Sequence, residues 1–82
     1  MNYEMELETK YPEAYGWLME FLFDNSSKYQ YMIHNSKRIY KVGDKESKDK
    51  YMEIRDNSGG YREFEKKIEI EGEKYIIGFN YE

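Results

Sequence analysis

The sequence predicts an α+β domain in which one helix in the N-terminal half packs on a meandering antiparallel sheet of about five or six strands. Three features carry this prediction. Residues 66–81 alternate between apolar and charged side chains around a turn, residues 12–23 repeat apolar side chains at helical spacing, and residues 28–64 hold further alternating segments separated by turn residues. With 82 residues, the chain is expected to form a single domain, residues 1–82, with one modest core.

The C-terminal hairpin is the clearest of these features. Ile68 and Ile70 alternate with charged residues, and Gly72-Glu73 has the glycine-first form of a type II′ turn. A turn at these two residues pairs Ile68 with Ile77 across the hairpin. One face of the hairpin is then apolar and is predicted to be core: Ile68, Ile70, Tyr75, Ile77, Phe79 and Tyr81.

A helix is predicted from Pro12 to about Phe23. Proline suits the first helical position, because its missing N–H has no partner there in any case. The apolar stripe of this helix has spacings of three and four and comprises Ala14, Trp17, Leu18, Phe21 and Leu22. Tyr15, Met19 and Phe23 lie outside this stripe, so the helix is either deeply covered or shows an apolar edge to a partner.

Residues 3–8 predict a short strand with an acidic outer face. Tyr3, Met5 and Leu7 alternate with three glutamates, which is the period of a strand. A helix remains the alternative, because Glu, Met and Leu are good helix formers.

The middle of the chain is predicted to add two hairpins and a loop. Lys28 to His34 and Arg38 to Val42 alternate on either side of Asn35-Ser36, which pairs Tyr31 with Tyr40 and Tyr29 with Val42. Residues 43–50 have no apolar side chain and are predicted to form a mobile loop. Tyr51 to Arg55 is predicted as a strand that turns at Asn57-Ser58-Gly59-Gly60 and pairs Ile54 with Phe64.

Composition excludes several kinds of chemistry. The chain has no cysteine, which excludes disulfides, thiolate metal sites and cysteine nucleophiles, and His34 is its only histidine. No apolar run approaches the roughly 18 to 20 residues of a membrane span, and no secretory signal is evident. We therefore expect a cytoplasmic protein that does not contact membranes, has no cofactor and no metal, and is not an enzyme.

The unusual features of the chain are its ten tyrosines and its uneven charge. Tyrosine offers a large, rigid contact area at low entropic cost, which is typical of binding interfaces. The net charge is −4, and acidic residues concentrate in the first 24 residues and the last 32. The leading hypothesis is a module that binds a basic, nucleic-acid-handling protein by imitating nucleic-acid charge. Its candidate residues are Tyr3, Glu4, Glu6 and Glu8 in one patch and Glu69, Glu71 and Glu73 in another.

In size, acidity and lack of motif, the chain resembles small phage-encoded inhibitors of bacterial defence, including anti-CRISPR proteins. This is a likeness of type, and it implies that the protein inhibits a nucleic-acid-handling partner.

The alternative hypothesis is binding of single-stranded nucleic acid. Tyrosines on strands beside basic residues would supply stacking platforms and a basic groove. The candidate residues are Tyr29, Tyr31, Lys37, Arg38, Tyr40 and Lys41. The acidity of the whole domain disfavours this alternative, because nucleic-acid-binding domains are usually basic.

Overall fold

A computed structural model describes residues 2–29 and 35–82, which form three helices and a three-stranded antiparallel sheet. The helices are α1 (Tyr3–Lys10), α2 (Pro12–Asp24) and α3 (Lys45–Asn57), and the strands are β1 (Arg38–Lys41), β2 (Arg62–Ile70) and β3 (Glu73–Tyr81). The strands lie in the order β1-β3-β2. The α+β class is therefore confirmed, whereas the prediction of one helix on five or six strands is wrong.

The C-terminal hairpin turns one residue earlier than predicted. Glu71 and Gly72 have φ angles of 51° and 82°, and two positive φ values are the mark of a type I′ turn. The glycine therefore takes the second turn position, and Ile68 pairs with Tyr75 instead of Ile77. A partner shift of two residues is even, so every side chain stays on its predicted face.

The predicted core face of the hairpin is confirmed. Ile68, Ile77 and Phe79 are buried, and the other members of the face pack against them. Helices α1 and α2 cover this face. Stacked aromatic rings fill the space between α2 and the sheet, with 4.7 Å between the ring centroids of Phe21 and Phe64 and 4.8 Å between those of Phe64 and Phe79.

The helix predicted at Pro12 is confirmed as α2. Pro12 occupies the start of the helix, Ala14 and Leu18 are buried, and the rest of the predicted stripe is partly buried against the core. Because Phe23 remains 83% exposed, α2 also shows an apolar edge.

Residues 3–8 are helical, so the predicted strand is wrong and its helical alternative is correct. The Asn2 side chain caps α1, since its Oδ1 accepts a 2.9 Å hydrogen bond from the backbone N–H of Met5. Tyr3, Leu7 and Tyr11 are four residues apart, and this spacing turns all three toward the interior of the protein.

Helix α3 replaces both the loop predicted over residues 43–50 and the strand predicted over Tyr51 to Arg55. Lys45 and Asp49 form an ion pair of 2.5 Å one turn apart, which supports a helix without an apolar stripe. The predicted turn at residues 58–60 exists, but it connects α3 to β2, so Ile54 and Phe64 are not strand partners.

The hairpin predicted on either side of Asn35-Ser36 falls partly outside the described residues, which include neither Tyr31 nor His34. Its described parts do not support it. Tyr29 is buried beside Phe79, with ring centroids 5.2 Å apart, while the backbone N–H of Val42 donates to the carbonyl of Lys74. Strand β1 pairs with β3, which places Tyr40 opposite Ile76.

The second face of the sheet carries a buried polar cluster. Arg38 is fully buried, and its Nη1 donates to Asn80 Oδ1 at 2.5 Å and to the Ser36 carbonyl at 3.1 Å. Its guanidinium lies 5.0 Å from the ring centroid of Tyr51, and Glu63 supplies an opposite charge at 3.4 Å from Nη2. Two buried side chains of α3 hold it against the sheet: Tyr51 is fully buried, and the Oγ of buried Ser47 accepts a 3.3 Å hydrogen bond from the backbone N–H of Lys41.

Within the described ranges, no helix is both long enough and apolar enough to cross a bilayer.

Candidate functional site

An open groove of about 410 Å³ lies between α1 and α3. Its floor is apolar and aromatic, formed by Tyr3, Leu7, Tyr11 and Ile39. Its rim is charged and comprises Glu6 and Lys10 from α1 and Glu46, Asp49, Lys50 and Glu53 from α3. We call this surface the α1/α3 groove.

Helical spacing builds both walls of the α1/α3 groove. The lining residues of α1 are residues 3, 6, 7 and 10, and those of α3 include residues 46, 49, 50 and 53. Both sets follow the i, i+3, i+4, i+7 pattern of a single helix face. Ile39 of β1 closes the floor between the two helices, so α1 forms one surface with β1 and α3, which lie much later in the sequence.

A hydrogen bond joins the two walls at one end of the groove. The Tyr11 hydroxyl donates to Asp44 Oδ2 at 3.1 Å, which links the end of α1 to the residue that precedes α3. Bonds from Ser47 and from Tyr11 hold the pKa of the Asp44 carboxyl below its usual value. Asp44 is therefore an ionised, fixed acceptor at neutral pH.

The two tyrosine rings of the floor already attract cations of the protein itself. The Lys50 ammonium lies 5.8 Å from the ring centroid of Tyr3, and the Lys10 ammonium lies 5.5 Å from that of Tyr11. These distances fit the attraction between a cation and the face of an aromatic ring. Burial raises the pKa of Tyr3 from 10.0 to about 12, so its phenol stays neutral even in moderately alkaline solution.

Negative charge dominates the rim. Four carboxylates face two ammonium groups there, and only part of this negative charge is neutralised locally. Asp49 pairs with Lys45, and Glu53 lies 4.0 Å from Lys50. Glu6 and Glu46 take part in none of the ion pairs between described residues. An acidic rim around an aromatic floor suits a cationic guest with an apolar stem, such as an arginine or lysine side chain.

The residues of the first predicted acidic patch separate on the helix. Glu6 lines the α1/α3 groove together with Tyr3. Glu4 lies on another side of α1, where it pairs with Lys37 at 2.5 Å and accepts a 3.3 Å hydrogen bond from the Tyr15 hydroxyl. Glu8 is exposed one turn after Glu4. The strand prediction had placed all three glutamates on one face, and the helix removes that arrangement.

The second predicted acidic patch lies at the tip of the β2–β3 hairpin. Glu69, Glu71 and Glu73 are all exposed there. Lys74 is the strand partner of Glu69, and Lys41 lies 3.3 Å from Glu73, so basic residues accompany this patch. No concave surface described here includes it.

The residues of the nucleic-acid alternative are largely engaged within the fold. Tyr29 and Arg38 are buried, and Lys37 is buried in its pair with Glu4. Tyr40 packs edge-on against Tyr51, with ring centroids 4.9 Å apart, and Lys41 pairs with Glu73. Tyr31 lies outside the described residues.

Sequence reasoning missed the α3 wall of the groove. The sequence predicts a loop and a strand for the segment that holds Glu46, Asp49, Lys50 and Glu53, because it lacks an apolar stripe. The signal that could have found the helix was charge spacing, since Lys45 and Asp49 are four residues apart and Lys50 and Glu53 three.

Comparisons with protein-family models, with curated proteins and with solved structures give no match for this chain. The described residues contain no group of three or more His, Cys, Asp or Glu side chains placed to hold a metal ion.

Proposed function

We propose that this protein is a non-catalytic binding module that takes a basic segment of a partner protein into the α1/α3 groove. The observation that supports the proposal is the groove itself, in which Tyr3 and Tyr11 form an aromatic floor beneath a rim of four carboxylates. An arginine or lysine of the partner would lay its stem on the floor and its charge beside the rim.

Charges already present in the groove support this choice of guest. Lys50 and Lys10 each lie over a tyrosine of the floor, so the rings attract cations in the free protein. Glu6 and Glu46 retain charge that no ion pair between described residues neutralises. A basic side chain would find both kinds of contact, whereas an acidic one would meet net repulsion, because the four carboxylates of the rim outnumber its two ammonium groups.

The finer proposal is that the partner is a nucleic-acid-handling protein and that the chain inhibits it. The groove carboxylates would then occupy a basic surface that otherwise binds phosphates. Support for this step is the sign of the charge and the net charge of −4. A competition experiment tests this finer proposal, because nucleic acid and this protein would displace each other from the same basic partner.

The geometry does not favour the single-stranded nucleic-acid alternative. Stacking requires exposed rings, and Tyr29 is buried while Tyr40 packs on Tyr51. The basic residues Lys37 and Lys41 are paired with carboxylates.

A titration with two synthetic peptides tests the groove. One peptide of about ten residues alternates Arg with Ser, and its control replaces each Arg with Glu. We expect the Arg peptide alone to shift the methyl resonances of Leu7 and Ile39, which form the floor. The double variant Glu6→Gln/Glu53→Gln should weaken this binding about tenfold, because it removes two rim charges.

A matched variant controls for net charge. Glu69→Gln/Glu71→Gln removes two charges from the hairpin tip, outside the groove, and should leave the affinity within about twofold. If the hairpin variant weakens binding and the groove variant does not, the hairpin tip is the binding surface and the groove proposal is wrong.

A further inference from the structure

The outward face of α2 carries an exposed apolar row that the α1/α3 groove does not use. Pro12, Gly16, Met19 and Phe23 are separated by four, three and four residues, and all four are exposed. Phe23 is 83% and Met19 37% exposed. This is the spacing of a helix face that packs along a second helix. We call the row the α2 seam.

Two residues on this side of α2 are unfavourable for an isolated helix. Gly16 is in the helix interior, where glycine destabilises relative to alanine, yet a Cβ at this position would meet nothing within 4 Å. Asp24 places a negative charge in the last turn, at the negative end of the helix dipole. Packing within the described residues explains neither Gly16 nor Asp24, whereas a partner helix lying on the seam would explain both.

Carboxylates flank the α2 seam. Glu13, Glu20 and Asp24 line one side, and α2 contains no lysine or arginine. On the other side Tyr15 borders the row, and the carboxylates of Glu4 and Glu8 are close enough to its hydroxyl to add to the effect of burial in raising its pKa. Glu8, Glu13, Glu20 and Asp24 enter none of the ion pairs formed between described residues.

We propose that the α2 seam is a second docking surface and that its partner is an amphipathic helix with Lys or Arg beside its apolar face. The apolar row supplies the contact area, and Gly16 lets the backbone of the partner helix approach closely. Charge decides the partner. A second copy of this chain would place acidic flanks against acidic flanks, whereas basic flanks complement them.

The test uses two helical peptides of about 18 residues, long enough for the roughly 16 Å of the seam. Both carry Leu at the a and d positions; one has Lys at e and g, and the other has Glu there. Met19 belongs to the seam, so the NMR resonance of its methyl group reports binding. We expect the Lys peptide to bind at least about tenfold more tightly than the Glu peptide.

Seam variants that preserve folding make the test decisive. Phe23→Ser should weaken the Lys peptide about tenfold without lowering the melting temperature, because the ring is exposed. Gly16→Lys should abolish binding, because it adds bulk and positive charge at the centre of the seam, while the melting temperature stays level or rises. The groove variant Glu6→Gln/Glu53→Gln should leave this affinity unchanged, which separates the seam from the groove.

Three outcomes would overturn the inference. If the two peptides bound with equal affinity, charge would not select the partner. If the Lys peptide did not bind at about 1 mM, the seam would not be a docking surface, because a Kd of this size needs a binding free energy of only about 4 kcal/mol. Sedimentation showing a dimer that Phe23→Ser dissociates would make a second copy the occupant.

Discussion

The Tyr51 hydroxyl of α3 donates a 2.7 Å hydrogen bond to Glu65 Oε2 of β2, on the far side of the central strand. The Tyr51 side chain therefore reaches across β3 with its hydroxyl above Gly78, and the buried Arg38 guanidinium lies 5.0 Å from the ring centroid. A helix whose own sequence is mostly polar is thus held to the sheet by one fully buried aromatic side chain together with buried Ser47.

We expect Gly78→Ala to destabilise the protein by about 2 to 3 kcal/mol. A Cβ at this position would collide with the Tyr51 hydroxyl oxygen, and it would lie 3.0 Å from the Phe64 carbonyl oxygen and 3.3 Å from Arg38 Nε. With this Cβ present, the Tyr51 hydroxyl could not keep its position above Gly78 and its hydrogen bond to Glu65. Urea unfolding measures the loss.

Gly16→Ala is the matched control for Gly78→Ala. The same methyl group is added where nothing lies within 4 Å, in an exposed helix interior. We expect the free energy of unfolding to rise by about 0.5 to 1 kcal/mol. Equal effects of the two substitutions would contradict the position assigned to Tyr51.

We expect Ile77→Ala to cost about 2 to 4 kcal/mol, because Ile77 is fully buried in the core and the site cannot collapse completely. Glu69→Ala should change the free energy of unfolding by less than about 0.5 kcal/mol, because its side chain is exposed. Chemical denaturation of both variants tests the faces of the hairpin. If Ile77→Ala left the free energy of unfolding unchanged while Glu69→Ala unfolded the protein, the assignment of the buried and exposed faces would be wrong.

Alkaline pH should destabilise the fold through its buried phenols. Burial raises the pKa of Tyr3 to about 12 from its usual value of 10.0, and it raises the pKa of Tyr51 as well, aided by the bond to Glu65. Between pH 10 and about 12 the folded state keeps the Tyr3 proton that the unfolded chain releases. The contribution to stability is therefore complete below pH 10 and falls as the pH rises through this window.

Urea unfolding at pH 8 and pH 11 measures this effect. Tyr3→Phe has no phenol to ionise, so we expect it to lose less stability between the two pH values than the wild type loses. Identical losses would show that Tyr3 is not buried in the folded state.

Lys50→Met should tighten binding of the Arg peptide to the α1/α3 groove, by about threefold to tenfold. The substitution removes the cation that lies over Tyr3, releases Glu53 and keeps an apolar stem of similar length. Lys48→Met is the control, since Lys48 is exposed on α3 but does not line the groove. Isothermal titration calorimetry compares the two variants. If both tighten binding equally, net charge and not the groove sets the affinity.

Local sequence patterns predicted the fold wherever apolar periodicity was strong. The α2 stripe and the alternation of the C-terminal hairpin both gave the correct element and the correct buried face. The predicted pairing register of the hairpin was wrong, because Gly72 is compatible with either turn position and the sequence does not show that Glu71 adopts a positive φ.

The remaining elements were missed because tertiary contacts decide them. In α1 the strand period at Tyr3, Met5 and Leu7 coexists with the helical period at Tyr3, Leu7 and Tyr11, and only packing distinguishes the two. In α3 a single buried tyrosine replaces the apolar stripe. Half of the groove lies on α3, so the candidate residues predicted from sequence include Tyr3 and Glu6 of the α1 wall but none of the wall opposite them.

The strand order β1-β3-β2 makes the sheet depend on its last strand. Strands β1 and β2 hydrogen-bond to β3 and not to each other, and β3 is the latest of the three along the chain. During synthesis on the ribosome, neither strand has its partner until β3 has emerged. The core residues of α2 and β2 thus lack the buried side chains of β3, Ile77 and Phe79, until that strand has emerged.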